Sequence, residues 1–95
     1  MPAYLVADLK VKDAARFADY SRDVTAIVAK HGGEYLVRGG ALEVLEGTWS
    51  PGRLIVIRFP NREAIQNFLS DPVYQPLKDL RLRTSTSNMV GVDGV

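Results

Sequence analysis

The sequence contains no cysteine and only one histidine, His31. The absence of cysteine excludes a disulfide framework, a thiolate zinc site and a cysteine nucleophile. With one histidine and no close-set cluster of carboxylates, no metal site is predicted, and we expect no cofactor. Any imidazole acid–base chemistry would therefore depend on His31.

The chain also lacks an excess of charge and a long apolar run. Twelve basic and eleven acidic residues give a formal net charge of +1, which argues against a general electrostatic affinity for nucleic acid or acidic membranes. No apolar stretch approaches the roughly 18 residues of a membrane span, and the first residues lack the layout of a signal peptide. We therefore expect a cytoplasmic protein that binds neither nucleic acid nor a membrane.

The remaining composition is that of one small globular domain. The chain has 95 residues, of which 46% are hydrophobic and 24% charged, so residues 1–95 are predicted to form a single domain. Apolar residues with period two predict strands over 3–11 and 54–59. Residues 34–46 are predicted to be extended, with an interruption at residues 39–40, Gly-Gly. This glycine pair is compatible with a bulge, a bend or a tight turn.

Helices are predicted between the strands. The first is capped by Asp13 and runs to about His31, with apolar residues at spacings of three and four. The second begins after Asn61 and, after a break at Asp71, is followed by a short third helix. A weaker strand over 84–92 ends the pattern.

The order of strand, helix, two strands, helix and strand predicts the fold class. With right-handed crossovers, the helices lie on one face of an antiparallel sheet, which is a ferredoxin-like βαββαβ α+β sandwich. Strand 54–59 is apolar on both sides, with Leu54 and Val56 on one and Ile55 and Ile57 on the other. Exposing such side chains forgoes roughly 1.5–3 kcal/mol each. We expect the helix-free face to pair with a second copy in a two-fold homodimer; the alternative is a monomer whose own loops or tail cover it.

Several short segments resemble one known family. They are GGEYLVRGG at 32–40, EVLEG at 43–47, DPVYQ at 71–75 and Arg81. With these, the chain resembles the bacterial domain-of-unknown-function family 1330, whose members are small proteins of the dimeric α+β barrel superfamily. The resemblance implies a ferredoxin-like subunit whose sheets pair face to face, but no activity, because the family has no established one.

The sequence departs from that family's pattern at three positions. Arg58 stands where an acidic residue is expected, and Phe68 and Leu69 stand where Trp and Tyr are expected. If these positions line a pocket, the ligand of this protein differs from that of its relatives. The wider superfamily includes cofactor-free monooxygenases, haem-degrading enzymes and isomerases, so the fold does not determine the function.

Two polar residues have both a structural and a functional interpretation. Arg38 lies in a predicted strand just before the glycine pair and needs a partner, for which Glu43 and Asp8 are internal candidates; alternatively, it anchors an anionic or carbonyl ligand. His31 lies at the C-terminus of a helix, where it either interacts with the last carbonyl groups or faces a pocket.

Two functions therefore remain open. In the first, a pocket between the helices and the sheet binds a small acidic or carbonyl compound, with His31 as the base if proton transfer or cofactor-free oxygenation takes place. In the second, the protein is a non-catalytic dimeric binding or structural module, in which Arg38 pairs with Glu43. Enzyme status is left open. The predicted ligand-binding residues are Arg38, Tyr20, Phe68, Tyr74 and Arg81, with Phe17 as a further wall.

Overall fold

Seven elements follow one another in the computed structural model, which describes residues 1–95. They are β1 (Ala3–Val11), α1 (Ala14–Lys30), β2 (Glu34–Arg38), β3 (Arg53–Phe59), α2 (Arg62–Ser70), α3 (Gln75–Thr84) and β4 (Ser85–Asp93). The strands form one antiparallel sheet in the order β2-β3-β1-β4. The helices cover one face of it, so the predicted ferredoxin-like βαββαβ fold is confirmed.

None of the three helices combines the length and the apolar character that a membrane crossing requires.

The core lies between the sheet and the helices. Strand β1 is central in the sheet, and its alternate residues, from Ala3 to Leu9, face the helices and are almost inaccessible to water. Phe59 of β3 is 1% exposed, and its ring packs against that of Phe68 from α2 with 5.8 Å between centroids. Burial of apolar side chains in this layer is the main stabilising contribution to the fold.

The predicted helix caps are confirmed. An Asp13 carboxylate oxygen accepts a hydrogen bond from the Arg16 backbone N–H at 3.2 Å, and the Asn61 side-chain oxygen accepts one from the Ala64 N–H at 2.8 Å. Each bond satisfies an N–H group that has no partner inside the helix. His31 is the C-terminal cap residue of α1.

The segment after β2 differs from the sequence prediction. Residues 34–46 were predicted to be extended, but the strand ends at Arg38 and residues 39–52 form an irregular loop. The Gly39 N–H donates to the Leu54 carbonyl oxygen at 2.8 Å, and Gly39 has a φ of +69°. A β-carbon at Gly39 would lie 2.7 Å from Nε of Arg53. The glycine pair therefore marks the point where the chain leaves the sheet.

An irregularity in β2 places its side chains. Tyr35 pairs with Ile57 and Arg38 pairs with Ile55, with a register shift between Tyr35 and Val37. Since Ile55 and Ile57 face the helices, Tyr35 and Arg38 face them too, although a regular strand would place residues three apart on opposite faces. The β-bulge thus brings Arg38 to the helix side.

The opposite face of the sheet is largely bare. Val90 and Val92 of β4 are 60% and 50% exposed. The 39–52 loop reaches one end of this face, where Asp8 accepts hydrogen bonds from Nε1 of Trp49 at 3.1 Å and from the Gly52 N–H at 2.9 Å. These bonds, the Gly52 N–H first, lower the pKa of Asp8. The loop therefore leaves most of the helix-free face uncovered.

The aromatic contact in the core generates a stability prediction. Replacing Phe59 with alanine should lower the free energy of unfolding by about 3–5 kcal/mol, because it removes a buried ring and leaves a cavity. That is a large share of the roughly 5–15 kcal/mol available to a small domain. Urea denaturation followed by circular dichroism measures it. The control is Leu82→Ala on the exposed side of α3, which should change it by less than about 0.5 kcal/mol; equal effects would contradict the core assignment.

Candidate functional site

A cavity of about 40 Å³ lies between the sheet and the helices. Its floor consists of apolar side chains of β1 and β3, and α1, α2 and α3 supply the walls. A buried water needs roughly 10–15 Å³, so the cavity has room for a few waters. No aspartate or glutamate lines it, whereas three arginines do: Arg38, Arg53 and Arg81.

Arg81 is a buried cation without a carboxylate partner. It is 5% exposed and takes part in none of the ion pairs of the chain. Its Nε donates to the Tyr74 hydroxyl oxygen at 3.3 Å, and its Nη1 donates to the Ser87 hydroxyl. Burial of an uncompensated guanidinium costs several kcal/mol, which neutral hydroxyl groups offset only in part.

The hydroxyl groups of two buried tyrosines extend the hydrogen-bond network of Arg81. The Tyr74 and Tyr20 hydroxyl oxygens are 3.0 Å apart, and Tyr74 is fully buried. Burial raises the pKa of Tyr20 well above its usual range, and the neighbouring Tyr74 raises it further. Tyr20 therefore stays neutral at physiological pH and can donate a hydrogen bond.

This network has more donors than acceptors. Each phenol carries one O–H hydrogen, and the bond between Tyr20 and Tyr74 uses only one of the two. Arg81 brings five N–H hydrogens, and its side chain makes only two hydrogen bonds. The hydrogens left over have no acceptor from the protein. A molecule that accepts hydrogen bonds would satisfy this part of the cavity.

Arg38 lies at the mouth of the cavity. Its guanidinium carbon is 4.1 Å from the centroid of the Tyr35 ring, within cation–π range. Its Nη2 donates to the Ser21 carbonyl and hydroxyl oxygens and, at 2.7 Å, to the Thr25 hydroxyl. The expected pairing of Arg38 with Glu43 or Asp8 is therefore wrong, because the bulge turns this side chain toward α1.

The mouth opens toward a groove on the outer surface. Phe17, Ser21, Arg38 and Arg53 line both the cavity and this groove. The guanidinium of Arg53 lies 5.9 Å from the Phe17 ring centroid. These four residues form the boundary between the interior space and the surface.

His31 lies apart from the cavity lining. Its Nε2 is 2.8 Å from a carboxylate oxygen of Asp71, and Nζ of Lys30 is 3.0 Å from the same oxygen. The other Asp71 oxygen accepts the Val73 N–H at 2.9 Å. These bonds, that to His31 first, hold the pKa of Asp71 well below its ordinary value. Together they connect the end of α1 to the break between α2 and α3.

The structure brings five of the six predicted site residues together. Tyr20, Arg38, Phe68, Tyr74 and Arg81 all line the cavity, and His31 does not. Ligand binding by the five and catalysis by His31 stay predictions.

The sequence interpretation missed Arg53 and Ser87. Arg53 continues the period-two spacing of Ile55 and Ile57, so the strand pattern already predicts that its side chain lies on the same face of β3 as theirs. Ser87 pairs with Leu9 in the neighbouring strand. It carries no signal of its own, because a serine in a weak strand is ordinary.

The fold and the family place the protein in a known class. Its sheet and helices are those of the ferredoxin-like α+β proteins. The chain belongs to the family described as domain of unknown function DUF1330, whose model matches residues 2–95. Among proteins of curated function, none is significantly similar in sequence.

Solved structures share this fold at low sequence identity. The Rhodopseudomonas palustris protein RPA0582, of unknown function, is 18% identical with a TM-score of 0.81, over 99% of this chain and 82% of that one. SnoaB, a cofactor-independent oxygenase from Streptomyces nogalater, is 17% identical with a TM-score of 0.70, over 99% and 93%. A dimeric ferredoxin-like protein of unknown function from Jannaschia sp. CCS1 is 11% identical with a TM-score of 0.66, over 99% and 100%.

The Asp71 contacts generate a prediction on acid stability. Because the folded state lowers the pKa of Asp71 below its ordinary 3.8, ionised Asp71 stabilises the fold above that pH, and this contribution is lost as the pH falls further. Asp71→Asn should therefore unfold at lower temperature at pH 7, and the difference from the wild type should shrink below about pH 4. Thermal melts from pH 7 to pH 2 measure it.

The matched control is Asp79→Asn, an exposed carboxylate on α3 without an ion pair. Its melting temperature should follow that of the wild type across the range. A difference between Asp71→Asn and the wild type that stays constant down to pH 2 would contradict the assignment.

Proposed function

We propose that the protein binds a small acidic or carbonyl compound in the cavity between the helices and the sheet. The observation that carries the proposal is the surplus of hydrogen-bond donors around Arg81, Tyr74 and Tyr20, with no carboxylate in the lining. A hydroxyl, carbonyl or carboxylate oxygen of such a compound would accept hydrogen bonds from these donors. Phe68 supplies an apolar wall beside them.

Access to the cavity would pass Arg38. Its bonds to Ser21 and Thr25 lie at the exposed surface, where each hydrogen bond contributes only about 0.5–1.5 kcal/mol. A ligand larger than a few waters needs this side chain to leave α1, which would widen the connection between the cavity and the outer groove. The narrow cavity is then the resting state of a pocket that widens to admit its ligand.

The lining favours binding over acid–base catalysis. It includes no carboxylate and no imidazole, and the pKa of Tyr20 is raised rather than lowered. A general base must come within hydrogen-bond reach of the proton that it abstracts, and His31 is bonded to Asp71 outside the lining.

The second part of the proposal is a two-fold homodimer through the helix-free face. Val90 and Val92 lie exposed there, with the half-buried Val6 and Val56 in register beside Val90. An exposed cluster of aliphatic side chains of this kind is typical of an interface. The structural relative from Jannaschia is described as dimeric, which supports the same assembly here.

Removal of the buried charge tests the pocket, with 4-hydroxybenzoate, an aromatic acid that also carries a hydroxyl group, as the probe. Arg81→Met should weaken 4-hydroxybenzoate binding by roughly tenfold or more, because a hydrogen bond to a charged group contributes about 1.5–3 kcal/mol. Chemical shifts of the Val24 and Val28 methyl groups, which line the cavity, report the binding. Arg83→Met is the control, because Arg83 is exposed on the same helix.

The same variant separates the pocket from a purely structural module. Removing a buried cation that lacks a counter-charge should leave the melting temperature unchanged or raise it, since an apolar replacement avoids the desolvation cost. The small cavity and the bonds of Arg38 to α1 are what favour the structural alternative. A lower melting temperature together with no methyl shifts from 4-hydroxybenzoate would support that alternative and refute the pocket.

The homodimer is tested by a charge on the bare face. The wild type should sediment at micromolar concentration as a species of twice the 10.5 kDa chain mass, and Val90→Glu should sediment as a monomer, because a buried carboxylate without a partner opposes association. Val73→Glu, at a position 61% exposed between α2 and α3, should remain dimeric. A monomeric wild type would contradict the proposal.

A further inference from the structure

The three arginines of the cavity belong to two separate groups. Arg81 extends from α3 to Ser87 of β4. Arg53 and Arg38 belong to β3 and β2, which lie on the other side of the central strand β1 in the same sheet. Ser87 and Arg53 pair with the same residue of the central strand, Leu9, from opposite sides. Because neighbouring strands are about 4.8 Å apart, the backbones of β4 and β3 are separated by about 10 Å at this level.

The space between the two groups is apolar. Its floor is formed by Ala7, Leu9 and Ile55, and Phe17 and Val24 of α1 line it as well. A molecule that touches both groups would therefore have oxygen atoms at its ends and an apolar body between them.

The two ends differ in chemistry. At the β4 end, Arg81 is buried with the hydroxyl groups of Tyr74, Tyr20 and Ser87. A fully charged group there would lose its hydration, whereas a hydroxyl or carbonyl oxygen loses less and still accepts from these donors. At the β2 end, Arg38 and Arg53 border the outer groove, so a carboxylate can keep part of its hydration.

Resting on the pocket proposed above, we propose that the ligand has two ends. A carboxylate would lie between Arg38 and Arg53 at the mouth, and a hydroxyl or carbonyl oxygen would bind Arg81 and Tyr74 inside. The body between them is a short apolar group of the size of one ring. This class includes hydroxylated and oxo-substituted aromatic or cyclic acids.

The experiment compares three probes that differ only in their ends: 4-hydroxybenzoate, benzoate and phenol. Dissociation constants come from the shifts of the Val24 and Val28 methyl groups, for the wild type, Arg53→Met, Tyr74→Phe and the exposed control Arg83→Met. Tyr20→Phe is a second inner variant in case Tyr74→Phe folds poorly. Circular dichroism and melting temperature confirm folding of each variant.

The wild type and Arg83→Met should bind 4-hydroxybenzoate roughly tenfold more tightly than either benzoate or phenol, since each end adds its own hydrogen bonds. Arg53→Met should lose the advantage of 4-hydroxybenzoate over phenol and keep its advantage over benzoate. Tyr74→Phe should do the reverse. This crossed pattern is the result expected from two independent ends.

Other patterns overturn the proposal in distinguishable ways. If benzoate and 4-hydroxybenzoate bind equally, or if both variants weaken all three probes alike, the two-ended ligand is refuted while the pocket stands. The reversed pattern, with Tyr74→Phe affecting the carboxylate, refutes the assignment of the ends. If no probe shifts the cavity methyl groups, the two-ended ligand and the pocket both fail.

Discussion

The interior of this protein is organised around a guanidinium that has no counter-charge. A domain of 95 residues has little stability to spare, and a buried cation lowers it unless the surrounding groups compensate. Arg81 is compensated only by hydroxyl groups, from Tyr74 and Ser87. The fold tolerates this arrangement because α3 packs against α1 and β4, so that the phenols lie beside the charge.

The consequence is a polar network with more hydrogen-bond donors than the protein's own acceptors satisfy. Asp8 and Asp71 are close in sequence to residues that line the cavity, but their side chains bind elsewhere. Asp71 contacts Lys30 and His31, and Asp8 accepts hydrogen bonds from the 39–52 loop. Had either acid faced the cavity, Arg81 could have an internal counter-charge. The separation of acids from this cavity is thus what makes it a candidate site for an acceptor.

Much of the fold follows from local signals that the sequence displays. The caps at Asp13 and Asn61 are hydrogen bonds to a residue three positions later in the chain. The period-two pattern of β1 reflects the burial of one face of that strand. Such signals are independent of the rest of the chain. They are sufficient for the order of elements, and right-handed crossovers then place the helices on one face.

The position of Arg38 could not be predicted in the same way. A regular strand would put Tyr35 and Arg38 on opposite faces, and only the pairing of β2 with β3 reveals the bulge that puts them on one. The predicted length of β2 is wrong for a related reason. Residues 41–45 are mostly apolar and were predicted to be extended, but no residue of this segment beyond Gly39 pairs with β3, and the Gly39 N–H makes the last bond to Leu54.

The bulge also connects the two proposed functions of the sheet. It turns Tyr35 and Arg38 toward the helices and leaves Leu36 and Val37 on the surface, 50% and 38% exposed. A single extra residue thereby contributes a cation to the cavity mouth and apolar side chains to the outside. The intrachain register that sets the geometry of Arg38 at the mouth therefore also decides which side chains of β2 lie on the outside.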